Sequence, residues 1–337
     1  MVKRPYIDSF IVNDTELVSV LTSSIRSIEY DSKLFGATST LAVEFLFGNG
    51  VVPDIETGDE ILVTIGYLGT TDKLDTGIFT VDRIDFTYSP NIMRVGATTY
   101  DFGLGFSGTT NISYSNATLR AIVGTQAAAP VVDLIVYPNL LTIDTFIAGT
   151  RDDDATGNFI VTSKNRLSLL SELGQAYGYV FNIRGGTLIF DKYEDMEGRA
   201  VVGTLTPSSC EPGVTFDDNR AQQIKQAWVE HVGSGYSIIQ DQSSPNPDII
   251  DLRSEGYYAS VTAADRRALG EIKQRNTTFW IGNITTEGSN IYQAGSNLTL
   301  SGWGNGLDGK WNIIRAVHEL SPSKGWSVDL EIRKINV

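Results

Sequence analysis

Period-two alternation that changes parity inside one unbroken run is the feature that most constrains this chain. In the run Gly77–Tyr88, Phe79 and Val81 share one parity, whereas Ile84, Phe86 and Tyr88 share the other. Side chains of a strand alternate strictly between two faces, so a strand that switches parity once needs an extra residue, a bulge or bend near Asp82-Arg83. The neighbouring runs keep a single parity. Leu41, Val43, Phe45 and Phe47 alternate with Ala42, Glu44 and Leu46, and Ile61, Val63, Ile65 and Tyr67 continue the pattern. A turn at Ser89-Pro90-Asn91 leads into another extended run, Met93–Tyr100. Short strands between turn signals, with almost no helical periodicity, predict a small barrel or sandwich.

The character changes near Gly103. A Gly/Ser/Thr/Asn-rich stretch, Gly103–Ser115, marks a boundary, and a short helix is expected after it over Thr118–Gly124. Ser163 is a candidate cap for a clearer helix, in which Leu167, Leu169, Leu170, Leu173 and Ala176 recur until Gly178 ends it. Two strands, Tyr179–Ile183 and Thr187–Asp191, then flank Arg184-Gly185-Gly186, a hairpin signal. From about Gly213 the β character returns, with a strand over Ile224–Val232, a polar loop over Asp241–Asp248 and an Ala/Arg-rich helix over Ala263–Arg275. The last third is β: Asn297–Leu300, Trp311–Leu320 and Trp326–Ile332, in which Val328, Leu330 and Ile332 alternate with Asp329, Glu331 and Arg333. The expected division is an N-terminal β domain over 1–103, an α+β middle domain over 104–212, and a C-terminal β domain with a helical connection over 213–337. No internal repeat is visible, although the two β ends could be diverged structural duplicates. The most apolar stretch, Ala127–Leu141, is interrupted by Pro130, Asp133 and Pro138, so no membrane insertion is expected. Met1–Asp8 lacks the apolar core of a secretory signal.

Charge narrows the function classes. The 26 basic residues face 40 acidic ones, a net charge of −14, which opposes binding through nucleic-acid phosphates. Cys210 is the only cysteine, excluding an intrachain disulfide and a cysteine-based zinc site. Six Asn-X-Ser/Thr sequons read as accidents of a chain rich in Asn, Ser and Thr.

The reactive inventory is thin. Both histidines, His231 and His318, lie in alternating strands with no nucleophile beside them, which fits hydrogen-bonded structural roles. The run Asp152–Asn158 begins like a calcium loop, but its twelfth position is Ser163 where the loop requires a bidentate Glu. Gly302, Gly304, Gly306 and Gly309 are followed by a strand and not by a helix, so they read as a β-hairpin loop and not as a phosphate cradle. No pair of carboxylates stands out for glycoside hydrolysis. No catalytic residue, cofactor or metal site is expected.

The C-terminal third carries a resemblance. Gly288, the Ala294-Gly295 pair, the strand ending at Gly302, then Asp308-Gly309, Trp311 and the Val317-His318 pair resemble the closing module of phage late control D-type proteins, the baseplate hubs of contractile tails and related injection machines. The helix Leu167–Gly178 with its hairpin, and the helix at Thr118–Gly124, are similar to that family too. The resemblance implies a mainly β fold with an α+β insertion: two small β-barrel tube-like domains related by pseudo-symmetry. Three copies form a pseudo-sixfold ring that adapts the sixfold tail tube to a threefold spike. It further implies a homotrimer, with the tail tube protein, the central spike protein and other baseplate proteins as partners. DNA would pass through without specific binding, in a virion tail baseplate assembled in the bacterial host cytoplasm. Part of the acidic excess is expected to face that channel, where repulsion of phosphate lowers friction. Gly295 and Gly309 are expected at positive φ, and His318 is expected to fix a strand neighbour by a hydrogen bond.

Two other classes compete with this expectation. One is the structural front half of a tail-tip protein from a non-contractile tail. Such proteins usually carry extra C-terminal modules, and this sequence stops after its last strand, with no spike or lysozyme-like segment expected. The other is a β-rich carbohydrate-binding protein or glycoside hydrolase using some of the 5 Trp and 14 Tyr residues to stack on sugars. Trp303 and Trp311 are more simply read as barrel or interface residues, and saccharide binding discriminates between the readings.

Overall fold

The computed structural model describes residues 4–21, 23–34, 38–47, 54–99, 109–115, 122–125, 133–136, 158–184, 187–231, 235–242, 244, 246–253, 257–258, 261–276 and 280–335. The fold is mainly β. The N-terminal strands are β1 (Pro5–Val12), β2 (Thr15–Glu16), β3 (Ile25–Lys33), β4 (Thr40–Leu46), β5 (Glu60–Tyr67), β6 (Lys73–Thr87) and β7 (Ile92–Thr98). They pair in the order β3-β4-β7-β6-β5-β1-β2. The sheet curls around one core, because strands that are not neighbours meet inside it. Phe10 of β1 packs edge-to-face on Phe45 of β4 at 5.8 Å, and Tyr30 of β3 on Phe79 of β6 at 5.9 Å. The alternating residues Ile61, Val63, Ile65 and Tyr67 are all buried, as are Leu41, Val43 and Phe45.

The parity change in β6 is a bulge. Val81 faces Ala97 and Arg83 faces Gly96 across β6 and β7, leaving Asp82 as the extra residue. Before it Leu74, Phe79 and Val81 are buried; beyond it Phe86 is half exposed.

The middle region holds β8 (Thr109–Ser115), β9 (Asp133–Val136), β10 (Asn158–Asn165), β11 (Tyr179–Arg184) and β12 (Thr187–Lys192). β8 pairs with β10; β12 pairs antiparallel with β11 and parallel with β9. The helix after β10 spans Arg166–Tyr177, and Asn165, not Ser163, caps it: the Asn165 side chain accepts from the N–H groups of Leu167 and Ser168. Ser163 stays in β10, two residues before the position that caps the first turn. Gly178 ends the helix in the left-handed region at φ 71°. The region 122–125 is helical. The rest of the expected helix over 118–124, the 103–108 part of the expected boundary and the 152–157 part of the calcium-like run lie outside the described residues.

The C-terminal strands are β13 (Val201–Leu205), β14 (Thr215–Asp218), β15 (Gln226–His231), β16 (Gly235–Gln240), β17 (Ile249–Asp251), β18 (Tyr257–Tyr258), β19 (Trp280–Glu287), β20 (Asn297–Leu300), β21 (Gly309–Ser321) and β22 (Gly325–Lys334). Strands β15 to β18 form a small sheet of their own, with Ala264, Ala268 and Ile272 of the helix Val261–Asn276 packed on Ala227 and Val229. The others join the N-terminal sheet. β21 pairs with β3 from Arg315↔Lys33 to Leu320↔Ile28, so 13 of the described strands form one sheet across both ends of the chain. A second core, around Leu298, Trp311, Ile313, Val328, Leu330 and Ile332, fills the C-terminal part.

Candidate functional site

Two residues of the Gly288–His318 pattern, Gly288 and His318, meet where the two β regions join. His318 sits in β21 directly opposite Tyr30 of β3, fully buried, with its ring stacked on the tyrosine at 5.9 Å. Trp326 Nε1–H donates to His318 Nδ1 at 3.3 Å, which leaves Nε2 as the protonated nitrogen, donating to the Tyr292 carbonyl at 2.7 Å. Burial holds the imidazole pKa down at about 4, so the ring is neutral at pH 7. A histidine closed in by two aromatic rings and committed at both nitrogens orients its neighbours and has no capacity left for proton transfer.

Gly288 makes the next contact. A Cβ placed there would lie 2.4 Å from the Trp326 indole, so only glycine lets this backbone lie on the ring. Its N–H donates to the Trp326 carbonyl at 2.9 Å, and the same carbonyl accepts from the Tyr67 hydroxyl at 3.3 Å. Immediately afterwards, Ser289 Oγ and the Asn290 N–H both donate to the Asp72 carboxylate at 2.9 Å. On the other side of the joint, Arg315 grips Asp31 in a fork, with two contacts of 2.9 Å. The joint is thus an aromatic core flanked by polar contacts that span the two ends of the sequence.

The remaining residues of the pattern shape the β20–β21 hairpin. Gly295 (φ 89°) donates its N–H to the Ile313 carbonyl, and Gly309 (φ 127°) opens β21 opposite Leu300. Between them Gly302 lies in the loop, whose Asp308 carboxylate accepts from the N–H groups of Trp303 and Gly304. Trp311 is wholly buried, its indole donating to the Leu307 carbonyl at 2.8 Å.

A second assembly, which the sequence pattern does not mark, lies beside this one. The short helix Tyr193–Gly198 ends on carbonyls of Met196, Glu197 and Arg199, and the buried Asn297 side chain donates toward all three at 2.9–3.3 Å. Lys310 Nζ adds its charge at the Glu197 and Arg199 carbonyls, as expected for a cation at a helix C-terminus. Asn297 Oδ1 in turn accepts from Asn312, whose own Oδ1 accepts from Arg333. Arg333, which alternation places with the solvent-facing Asp329 and Glu331, is fully buried. The helix covers that face of β22, and the guanidinium lies over the Tyr193 ring at 4.9 Å with Glu197 at 3.4 Å. An Asn-Leu-Thr-Leu strand paired with a Trp-Asn-Ile-Ile strand was the available signal, since an asparagine on each of two apolar neighbouring strands invites a buried amide pair.

The other candidates stand apart. Cys210 forms an isolated bridge with Thr286, its thiol pushed up by burial, whereas His231 ends β15 in the separate small sheet. No cluster of three or more metal-ligating side chains occurs among the described residues.

This architecture is that of phage tail and baseplate-related proteins. The crystal structure of the 43 kDa tail protein of prophage MuSo2 from Shewanella oneidensis matches it with a TM-score of 0.70 at 12% identity, over 98% of either chain. A tail protein from Neisseria meningitidis MC58 matches at 0.68 and 12% identity, over 98% of this chain and 96% of that one. The E. coli c3393 protein, a type VI secretion component with structural similarity to the T4 tail proteins gp27 and gp5, matches at 0.54 and 10% identity, over 99% and 77%. No family model and no curated protein matches the sequence. At such identities the likeness defines the fold.

Proposed function

We propose that the chain is the structural baseplate hub protein of a contractile tail, a late control D-type component with no catalytic role. Three copies form a ring that adapts a sixfold tail tube to a threefold central spike. Its tube-like β units are 1–103 and 213–337, with 104–212 between them. The observation that carries this reading is the correspondence of fold with tail proteins over nearly the whole of either chain. The likeness to a secretion component that itself resembles gp27 and gp5 supports placing it near the spike. A rigid joint serves such a part: two β units sharing a ladder and a dry aromatic core can present paired contact surfaces at a fixed spacing. The excess of 40 acidic over 26 basic residues supports a channel lining that repels DNA.

Native mass measurement and negative-stain imaging of the purified chain, alone and mixed with a spike protein from the same particle, test the proposal. Threefold rings with a central channel, at three times the chain mass, are the expected result. A persistent monomer in both samples removes the hub assignment while leaving the fold untouched. Rings whose lumen is neutral or basic remove the DNA-repulsion argument alone.

A further inference from the structure

The N-terminal sheet has a seam. Along one edge β1 pairs with β5 over its whole length, but along the other only Ile11 and Val12 are paired, with β2. Glu16 and Leu17 occupy the outer N–H and carbonyl of Phe10, so Tyr6–Ser9 is the stretch with no strand beside it among the described residues. β3 shows the mirror situation. It pairs with β4 from Ile25 onward, while its ladder with β21 begins only at Ile28. These two incomplete edges line the same cleft of about 560 Å³, together with the end of β21 at Leu320. That volume lies in the range of sites that enclose a ligand.

The walls have a pattern. Ile7, Ile25 and Leu320 belong to or pack against the N-terminal core, so the floor is apolar. Arg4 and Arg26 are exposed at the rim. The nearest carboxylate to Arg26 is Glu44, at 4.0 Å and already engaged by Arg94, and no described carboxylate pairs with Arg4. In a chain of net charge −14, two arginines beside one apolar cleft form a local inversion of sign.

We infer that this seam is a docking site for an extended segment of another protein chain, in which apolar residues alternate with acidic ones. An incoming strand would hydrogen-bond to the β1 edge at Tyr6–Ser9, the β3 edge at Ile25–Ser27, or both. Strand alternation sends every second side chain to the Ile7–Ile25–Leu320 floor and the intervening ones outward to Arg4 and Arg26. Backbone edges select an extended peptide, the floor its apolar residues and the rim its charge. The site is independent of the proposed ring, since it requires only one copy of this chain.

The test uses the full chain and synthetic peptides of about nine residues, a length that spans both edges: one alternating Val with Asp and Glu, one alternating Val with Lys, and the acidic one with a central Pro. The acidic peptide is expected to bind with a Kd below about 1 mM and to raise amide-exchange protection at Tyr6–Ser9 or Ile25–Ser27. The Arg4→Glu/Arg26→Glu chain, with its thermal midpoint unchanged, should lose about tenfold in affinity for the acidic peptide and gain a similar factor for the lysine peptide. The proline peptide should bind more weakly than its parent. The inference is overturned if the acidic peptide does not bind, if charge reversal leaves the preference unchanged, or if hexanoate competes at equal concentration, which marks a small-anion site.

Discussion

Replacing His318 by Gln removes the imidazole from the joint while keeping an amide donor for the Tyr292 carbonyl. The structure sets the size of the effect. Burial lowers the folded-state pKa from 6.5 to about 4, a difference worth about 3 kcal/mol. Because the folded value is depressed, the unfolded chain binds more protons between these two pH values. The stabilisation is therefore complete above pH 6.5 and lost as pH falls toward 4. The wild-type acid curve alone would hide this. Asp191, buried beside Arg199, has its carboxyl pushed up from 3.8 to about 6, mainly by burial. There the folded state binds the extra proton, so this group's contribution declines as pH rises through the same window, by a comparable amount of about 3 kcal/mol.

A difference measurement separates the two, because Asp191 is common to both proteins. Urea unfolding of wild type and His318→Gln near pH 7, 5 and 4 should give a variant less stable by about 1–2 kcal/mol at neutral pH, from the lost Trp326 acceptor and Tyr30 stacking. Near pH 4 the order should reverse, a swing of about 3 kcal/mol. With only two histidines, labelled-histidine NMR gives the titration directly. A stability gap independent of pH, or a His318 resonance titrating near 6.5, would refute the dry-joint argument.

Gly288→Ala forces a methyl into the Trp326 indole and should cost about 1–3 kcal/mol in thermal unfolding. Gly306→Ala, at φ 75° with no atom near its added Cβ, should cost only about 1 kcal/mol; equal losses would show that packing on Trp326 is irrelevant. Asn297→Ala leaves three helix-end carbonyls without a side-chain amide and should lower stability by about 2–3 kcal/mol, with faster amide exchange centred on Tyr193–Gly198; unchanged exchange there would refute the capping role. Deleting Asp82 removes the bulge but leaves Val81, Arg83 and Ile84 against their present β7 partners, with Phe79, Val81, Ile84 and Phe86 on one face of a regular strand, so the chain should still fold, losing about 1–2 kcal/mol from the altered bend in urea unfolding. A deletion variant that gives no folded, soluble product would refute the assignment of Asp82 as the one extra residue.

Legibility of the fold follows the range of the interactions. The β6 bulge is readable because parity is a local property: Phe79 and Val81 against Ile84 and Phe86 sit within one strand. The helix Arg166–Tyr177 is readable from its leucines, but not its cap, because both Ser163 and Asn165 are chemically able to cap and only the backbone decides. Arg333 reads as a solvent-facing residue because alternation reports two faces and not what covers each one. The Tyr193–Gly198 helix that covers it lies more than a hundred residues earlier. The β3–β21 ladder is beyond reach for the same reason: nothing near Ile28 or Leu320 in sequence records that they are partners. The resemblance over Gly288–His318 marks a set of residues without indicating that His318 and Gly288 meet the far end of the chain.

β21 explains why those residues cluster. Trp311 and Ile313 on one parity and Ala316 on the other all enter the C-terminal core, and His318 and Leu320 continue the parity of Ala316 toward the joint and the N-terminal core. The register between β21 and β22 slips between Ile313 and Arg315, which makes Ile314 the extra residue. The device is the one used in β6, here placed in a strand whose even alternation beyond the slip conceals it. One bulge lets a single strand feed three cores: Trp311 and Ile313 in the C-terminal one, Ile314 in a small cluster with Leu34, Val180 and Met196, and Leu320 in the N-terminal one. A strand shared in this way cannot detach from one β unit while remaining packed in the other. The Gly288–Trp326–His318 contacts therefore act less as a site in their own right than as the packing that holds the two units to one geometry.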